Sequence, residues 1–151
     1  MSKSDAWETA LLQLVFQNAN VALVGDATGL RGSTTAGQLY LSLHTADPAE
    51  GGTQSSNEVT TGAYAGYTRI GVNRASGAGG FTVTGNSVSP FANVDFPACT
   101  GGSTATLTHF GIGASSTGAG LLLYKGAISP TILVQNGVTP RLTTATAITE
   151  D

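Results

Sequence analysis

From Gln38 onward, apolar residues recur at every second position in short runs that stop at Gly, Pro, Asn or Ser. A period of two puts successive side chains on opposite faces of an extended strand, and Gly or Asn supplies the backbone freedom that reverses the chain. In Gln38–His44, Leu39, Leu41 and Leu43 share one face and Tyr40, Ser42 and His44 share the other. Alternation returns over Tyr67–Arg74, with Ile70 and Val72 on one side. Phe81–Thr84, Gly85-Asn86 and Ser87–Ser89 read as a tight hairpin, with Gly85 at the φ > 0 position of a II′-type turn and Val83 facing Val88. Further strands are expected at Asn93–Phe96, Ala105–Ile112, Leu121–Lys125, Ile132–Val134 and Arg141–Ile148. No helical pattern alternates with them, so a parallel βαβ sheet is disfavoured.

The exception to this period is the N-terminal segment. Asp5, with Glu8 three residues later, has the spacing of a capping box. Trp7, Leu11, Leu14 and Val15 then fall on one face of a helix over about 5–18. That stripe needs a cover, from the chain's own sheet or from another subunit. Residues 25–37 are mostly Gly, Ser, Thr and Ala and read as a flexible connection. The length of 151 residues suits one domain. The expected fold is mostly β: a single antiparallel β-sandwich domain over 1–151, jelly-roll-like, with one N-terminal amphipathic helix.

Charge narrows the function classes. Only 10% of residues are charged, and six Lys/Arg against nine Asp/Glu give a formal charge of -3. Direct nucleic-acid binding, which rests on neutralised phosphates, has too few cations behind it. The longest apolar stretches, around 10–16 and 121–124, fall short of the roughly 20 residues needed to span a bilayer. The N-terminus has no signal-peptide apolar core and Cys99 stands alone, which fits folding in a reducing cytoplasm.

Catalytic material is sparse. His44 and His109 are the only imidazoles. His44 lies near Asp47 in sequence, so a hydrolase built on a Ser, His44 and Asp47 is conceivable, yet no Gly-x-Ser-x-Gly elbow accompanies it. A hydrogen-bonded strand histidine is the simpler reading of each. Cys99 has no partner at zinc-ligand spacing, and the carboxylates are not spaced as a calcium loop. Gly111-Ile112-Gly113 resembles the start of a dinucleotide fingerprint, but Ser116 replaces the third Gly; these glycines read as a strand running into a turn. The expectation is no enzyme, no cofactor and no metal. Trp7, Leu11, Tyr40, Tyr64 and Tyr67 are the candidate partner-interface residues, as a partner-binding or sugar-stacking surface if outward and as core-edge packing if not.

Several blocks carry a family likeness: Met1–Asp5 with its helix, Leu39-Tyr40-Leu41-Ser42-Leu43-His44-Thr45-Ala46-Asp47-Pro48, Tyr67-Thr68-Arg69, Val94-Asp95-Phe96-Pro97-Ala98, Thr108-His109-Phe110-Gly111-Ile112-Gly113, Leu122-Leu123-Tyr124 and Ile148-Thr149-Glu150-Asp151. Together they resemble a group of small tailed-bacteriophage virion structural proteins, commonly labelled tail fibre or structural. The 25–37 stretch is where the chain departs from that pattern. The resemblance implies a virion component, made and assembled in the host cytoplasm, and offers no catalytic residue to carry over. Related-looking small β proteins act as capsid cement or decoration subunits. The leading expectation is therefore a cement protein that binds the major capsid protein and copies of itself and stabilises the shell. The alternative is a tail-associated fibre or receptor-binding module whose partner is host surface carbohydrate.

Overall fold

The structure, a computed structural model, describes residues 2–150. Met1 and Asp151, which open and close the blocks quoted above, lie outside them. The fold is mostly β with a single helix, and the chain divides into two compact units. One holds residues within 2–38, 72–93 and 143–150; the other holds 39–71 and 94–142.

In the first unit, helix α1 spans Asp5–Gln17. Its N-cap is Ser4, one residue ahead of the expected Asp5: the Ser4 hydroxyl accepts from the Trp7 N–H at 3.4 Å. Asp5 and Glu8 instead place negative charge in the first turn, where the helix dipole favours it. Asn18 ends the helix in a left-handed conformation, φ 57°. The buried face is Glu8, Leu12 and Phe16, while Trp7, Leu11, Leu14 and Val15 are only half-buried. The face is thus turned by one residue, about 100°, from the expected stripe.

Phe16 decides that rotation. Its ring meets Phe81 edge-on at 5.0 Å, on the hairpin of β3 (Phe81–Thr84) and β4 (Ser87–Pro90). Thr9 Oγ1 donates to the Gly85 carbonyl at 2.9 Å, and Gln17 Nε2 to the Phe81 carbonyl at 3.1 Å. The hairpin has the expected register, Val83 opposite Val88, with Gly85 at φ 59°. No basic residue lies in the last turn of α1. Arg74 supplies the missing cation from a distant part of the sequence, donating to the Val15 and Leu14 carbonyls at 2.7 and 2.8 Å.

The 25–37 stretch carries specific hydrogen bonds. Asp26 accepts from Thr28 N and Oγ1 and from Gly29 N, and the Thr28 hydroxyl first among them holds its carboxyl below the usual range. Asn18 and Asn20 accept from Ser33 N and Gly32 N.

The second unit holds β6 (Ala105–Gly113), β7 (Leu122–Val134), β1 (Gln38–His44) from Leu39 onward and the first two residues of β2 (Ile70–Asn73), strands of a sheet in the order β2-β1-β6-β7. The β1–β6 and β6–β7 pairings are antiparallel. The expected strands Leu121–Lys125 and Ile132–Val134 are one strand, β7. Between Leu107↔Ile132 and His109↔Ala127, β6 advances two residues while β7 runs back five. The extra residues form a bulge containing Pro130, which has no N–H to give a ladder, and so the sequence looked broken there. The expected Arg141–Ile148 strand is divided. Arg141–Leu142 (β8) pairs with Val94–Asp95 (β5), and Ile148–Thr149 (β9) pairs with β4. The break is a turn in which Thr146 N donates to the Thr143 carbonyl and Ala145 N to Thr143 Oγ1.

Leu39, Leu41 and Leu43 are buried, as their alternation predicts. Ser42 and His44 are also fully buried. The face of β1 that reads as polar is therefore an interior face as well.

Candidate functional site

At the end of the four-stranded sheet, the connection from β6 to β7 forms a loop closed by Ala114 N donating to the Leu121 carbonyl at 3.0 Å. Two buried polar side chains hold it from beneath. Arg69, 3% exposed, donates through Nη1 to the Ser115 carbonyl (2.9 Å) and through Nη2 to the Gly118 carbonyl (2.7 Å). The same guanidinium grips Glu58 in bidentate fashion: Nε to Oε1 and Nη2 to Oε2, both at 2.7 Å. The Glu58 hydrogen bond foremost raises the Arg69 pKa, so the cation is permanent. Gln54 is fully buried; its Oε1 accepts from Ser115 N at 2.9 Å, and its backbone N–H donates to the Gly120 carbonyl at 3.0 Å.

Glycine makes the Gln54 contact possible. A Cβ on Gly113 would stand 2.1 Å from Gln54 Cδ, and one on Gly120 would stand 2.4 Å from Gln54 Oε1. Gly111 serves the same purpose one pleat away, where a Cβ would meet His44 Nε2 and Ser42 Oγ at 2.8 Å. The Gly-Ile-Gly element closes β6 at Gly113, where the strand gives way to the loop as expected, and its glycines also make room for buried polar side chains. Ser116, Thr117, Gly118, Ala119 and Leu121 remain exposed on a loop whose backbone is fixed from below. This surface is uncharged and carries hydroxyls, with one apolar projection at Leu121.

Beside the loop, Lys125 on β7 bridges Asp47 at 2.9 Å and Glu50 at 3.0 Å. The Ala49 N–H and then Lys125 hold Asp47 below the usual carboxylate range. An open depression of about 240 Å³ lies here between residues 49–52 and 122–125.

His44 and Asp47 do not form a relay. His44 Nδ1 lies 2.9 Å from the Ser56 carbonyl, an acceptor only, so Nδ1 carries the proton. Nε2, 2.8 Å from Ser42 Oγ, is then the acceptor of the serine hydroxyl. Burial, above all, pushes the His44 pKa down and keeps the ring neutral. The pair is sealed in the interior, and Asp47 is turned to Lys125.

The interface candidates separate by burial. Tyr64 and Tyr67 are core residues, packed against each other at 5.3 Å, with Tyr67 stacked on Phe96 at 6.3 Å. Tyr67 Oη accepts from Leu43 N (3.0 Å) and donates to Glu58 Oε1 (2.8 Å), so it belongs to the Arg69 network. Tyr64 Oη donates to the Pro97 carbonyl, and burial pushes its pKa up to about 12. Neither ring is available as an outward stacking platform. Trp7, Leu11 and Tyr40 are half-buried. Sequence reasoning missed Gln54, Glu58 and Arg69. The available signal was the Gly-rich segment 111–120, whose close backbone approach needs a polar side chain to fill it.

No curated protein matches the chain. Among the described residues no helix is long and apolar enough to cross a membrane. Residues 2–149 match the family described as podophage GP4 fiber I protein gp80. That match takes in almost every block of the likeness noted above, together with the sheet and loop described here. The chain belongs to the podophage GP4 fiber I protein family and is a bacteriophage virion structural protein.

Proposed function

We propose that this protein is a tail-associated fibre component that works by surface contact and performs no reaction. The match to a fibre family over residues 2–149 carries the reading. Its chemistry agrees: the Ser42–His44 pair is enclosed, Asp47 is engaged by Lys125, and the most highly constrained polar assembly is spent on fixing a surface loop. A buried ion pair is weak evidence for stability, because desolvation offsets its attraction. Arg69 and Glu58 are better understood as holding the Ala114–Leu121 loop in one shape, so that little ordering entropy remains to be lost when it meets a partner. With Tyr64 and Tyr67 in the core, contact with host carbohydrate would run through the loop hydroxyls and backbone.

The capsid-cement reading, with the major capsid protein as partner, uses the same near-neutral surface and differs in copy number and place. Quantitative mass spectrometry of purified virions, with antibody labelling seen by electron microscopy, separates them. Label on the tail at low copy number is the expected outcome. Label spread over the head in hundreds of copies would overturn it in favour of cementing.

A further inference from the structure

Asn136 is the one asparagine of the chain that is followed by glycine. It is exposed, and its side chain makes no hydrogen bond among the described residues. In an unstructured chain such a pair is chemically unstable. The Gly137 amide nitrogen gives up its proton and attacks Asn136 Cγ, a cyclic imide forms, and ammonia leaves. Water then opens the ring to aspartate, or to isoaspartate, in which the backbone runs through the former side chain. Glycine permits the attack because it has no Cβ to hinder the approach of its nitrogen. Water is the only co-reactant.

The fold holds this pair away from that reaction. Val138 N donates to the Gln135 carbonyl at 3.0 Å, Gly137 has φ 87°, and Asn136 has a negative φ, which together define a type II turn over 135–138. Asn136 ψ in such a turn is about +120°, which rotates the Gly137 nitrogen away from the Asn136 side chain. The ring closes only at ψ of the opposite sign. The nitrogen is also engaged: its N–H donates to the Cys99 carbonyl at 2.7 Å, and Cys99 N donates to the Val138 carbonyl at 2.8 Å. Cys99 is 1% exposed, so water does not compete for these bonds. We propose that Asn136 is the first site of covalent ageing in this protein and that the turn gates it, the imide forming only when residues 135–138 lift away from Cys99. Isoaspartate lengthens the backbone inside the turn and adds a carboxylate, so the turn does not re-form once the reaction has run. The inference goes beyond the fibre reading and does not depend on where in the virion the protein sits.

The test incubates the full purified chain at mildly alkaline pH, native and in denaturing guanidinium, and follows the amide-to-acid mass gain by peptide mass spectrometry. In the denatured chain Asn136 is expected to react before every other asparagine. In the native chain it is expected to react at least about tenfold more slowly, because the turn bond and the two Cys99 bonds must open first. At guanidinium concentrations below the unfolding transition, the Asn136 reaction and hydrogen exchange of the Gly137 amide are expected to accelerate together. Asn136→Gln, which lengthens an exposed side chain without bonds, should abolish the first acidic species and leave the far-UV circular dichroism unchanged. Equal rates in native and denatured chains overturn the proposal. So does a chain that reacts first at another asparagine, or a native rate indifferent to Gly137 exchange.

Discussion

Replacing Arg69 by Met tests whether the polar network beneath the β6–β7 loop is organised as described. The substitution keeps most of the side-chain volume and removes five hydrogen bonds, two to Glu58, two to the Ser115 and Gly118 carbonyls and a long one to Ser55 Oγ. It leaves the Glu58 carboxylate, 14% exposed, with the Tyr67 hydroxyl as its remaining side-chain donor. Breaking one side of a buried pair costs about 3–5 kcal/mol, mostly through the stranded charge. Partial access of Glu58 to water moves the figure toward the lower end, and the exposed Gly118 carbonyl can bond solvent instead. A loss of about 3–4 kcal/mol follows, equivalent to roughly 6–16 °C in Tm for a chain of this size. The double variant Arg69→Met with Glu58→Met removes both charges, leaving chiefly the Tyr67 hydroxyl without its acceptor, and should lie within about 1–2 kcal/mol of the parent. Urea unfolding followed by circular dichroism at pH 7 measures both. A single variant costing under about 1 kcal/mol, or a double variant costing as much as the two singles combined, would refute the argument.

Leu41→Asp places a carboxylate on a fully buried face of β1 and should cost several kcal/mol; unfolding at the parent's urea midpoint would mean that the register of that strand is wrong. Gly113→Ala drives a methyl group into Gln54 and should cost about 1–3 kcal/mol while speeding exchange of the Ser115 amide, whereas unchanged protection there would show that Gln54 does not hold the loop. His44 is neutral in the fold with its pKa below the unfolded value of about 6.5, so the unfolded chain takes up a proton that the folded chain refuses. Stability should therefore fall as pH drops below about 6.5, and His44→Gln should flatten that fall between about pH 5 and 6.5, above the range where ordinary carboxylates titrate. An unaltered slope in the variant would assign the acid sensitivity to other groups.

Local periodicity carried a large part of the secondary structure. The β1 alternation, the Val83–Val88 hairpin with Gly85 at its turn, and the single N-terminal helix follow from side-chain spacing and backbone freedom, which act over a few residues and need no knowledge of the rest of the chain. The scarcity of charge and the lack of a catalytic signature are likewise properties of composition and local pattern. Tertiary packing decided the remainder. Which face of α1 is buried depended on where Phe81 stands. The two expected strands on either side of Pro130 became one because β6 offers a continuous partner to both. Ser42, His44, Gln54 and Arg69 are polar residues that alternation and polarity assign to a surface, and they are interior, with Glu58 half-buried against Arg69, only because residues far apart in the chain satisfy their hydrogen bonds together. That condition is non-local, so the network under the β6–β7 loop appears only when the chain has folded.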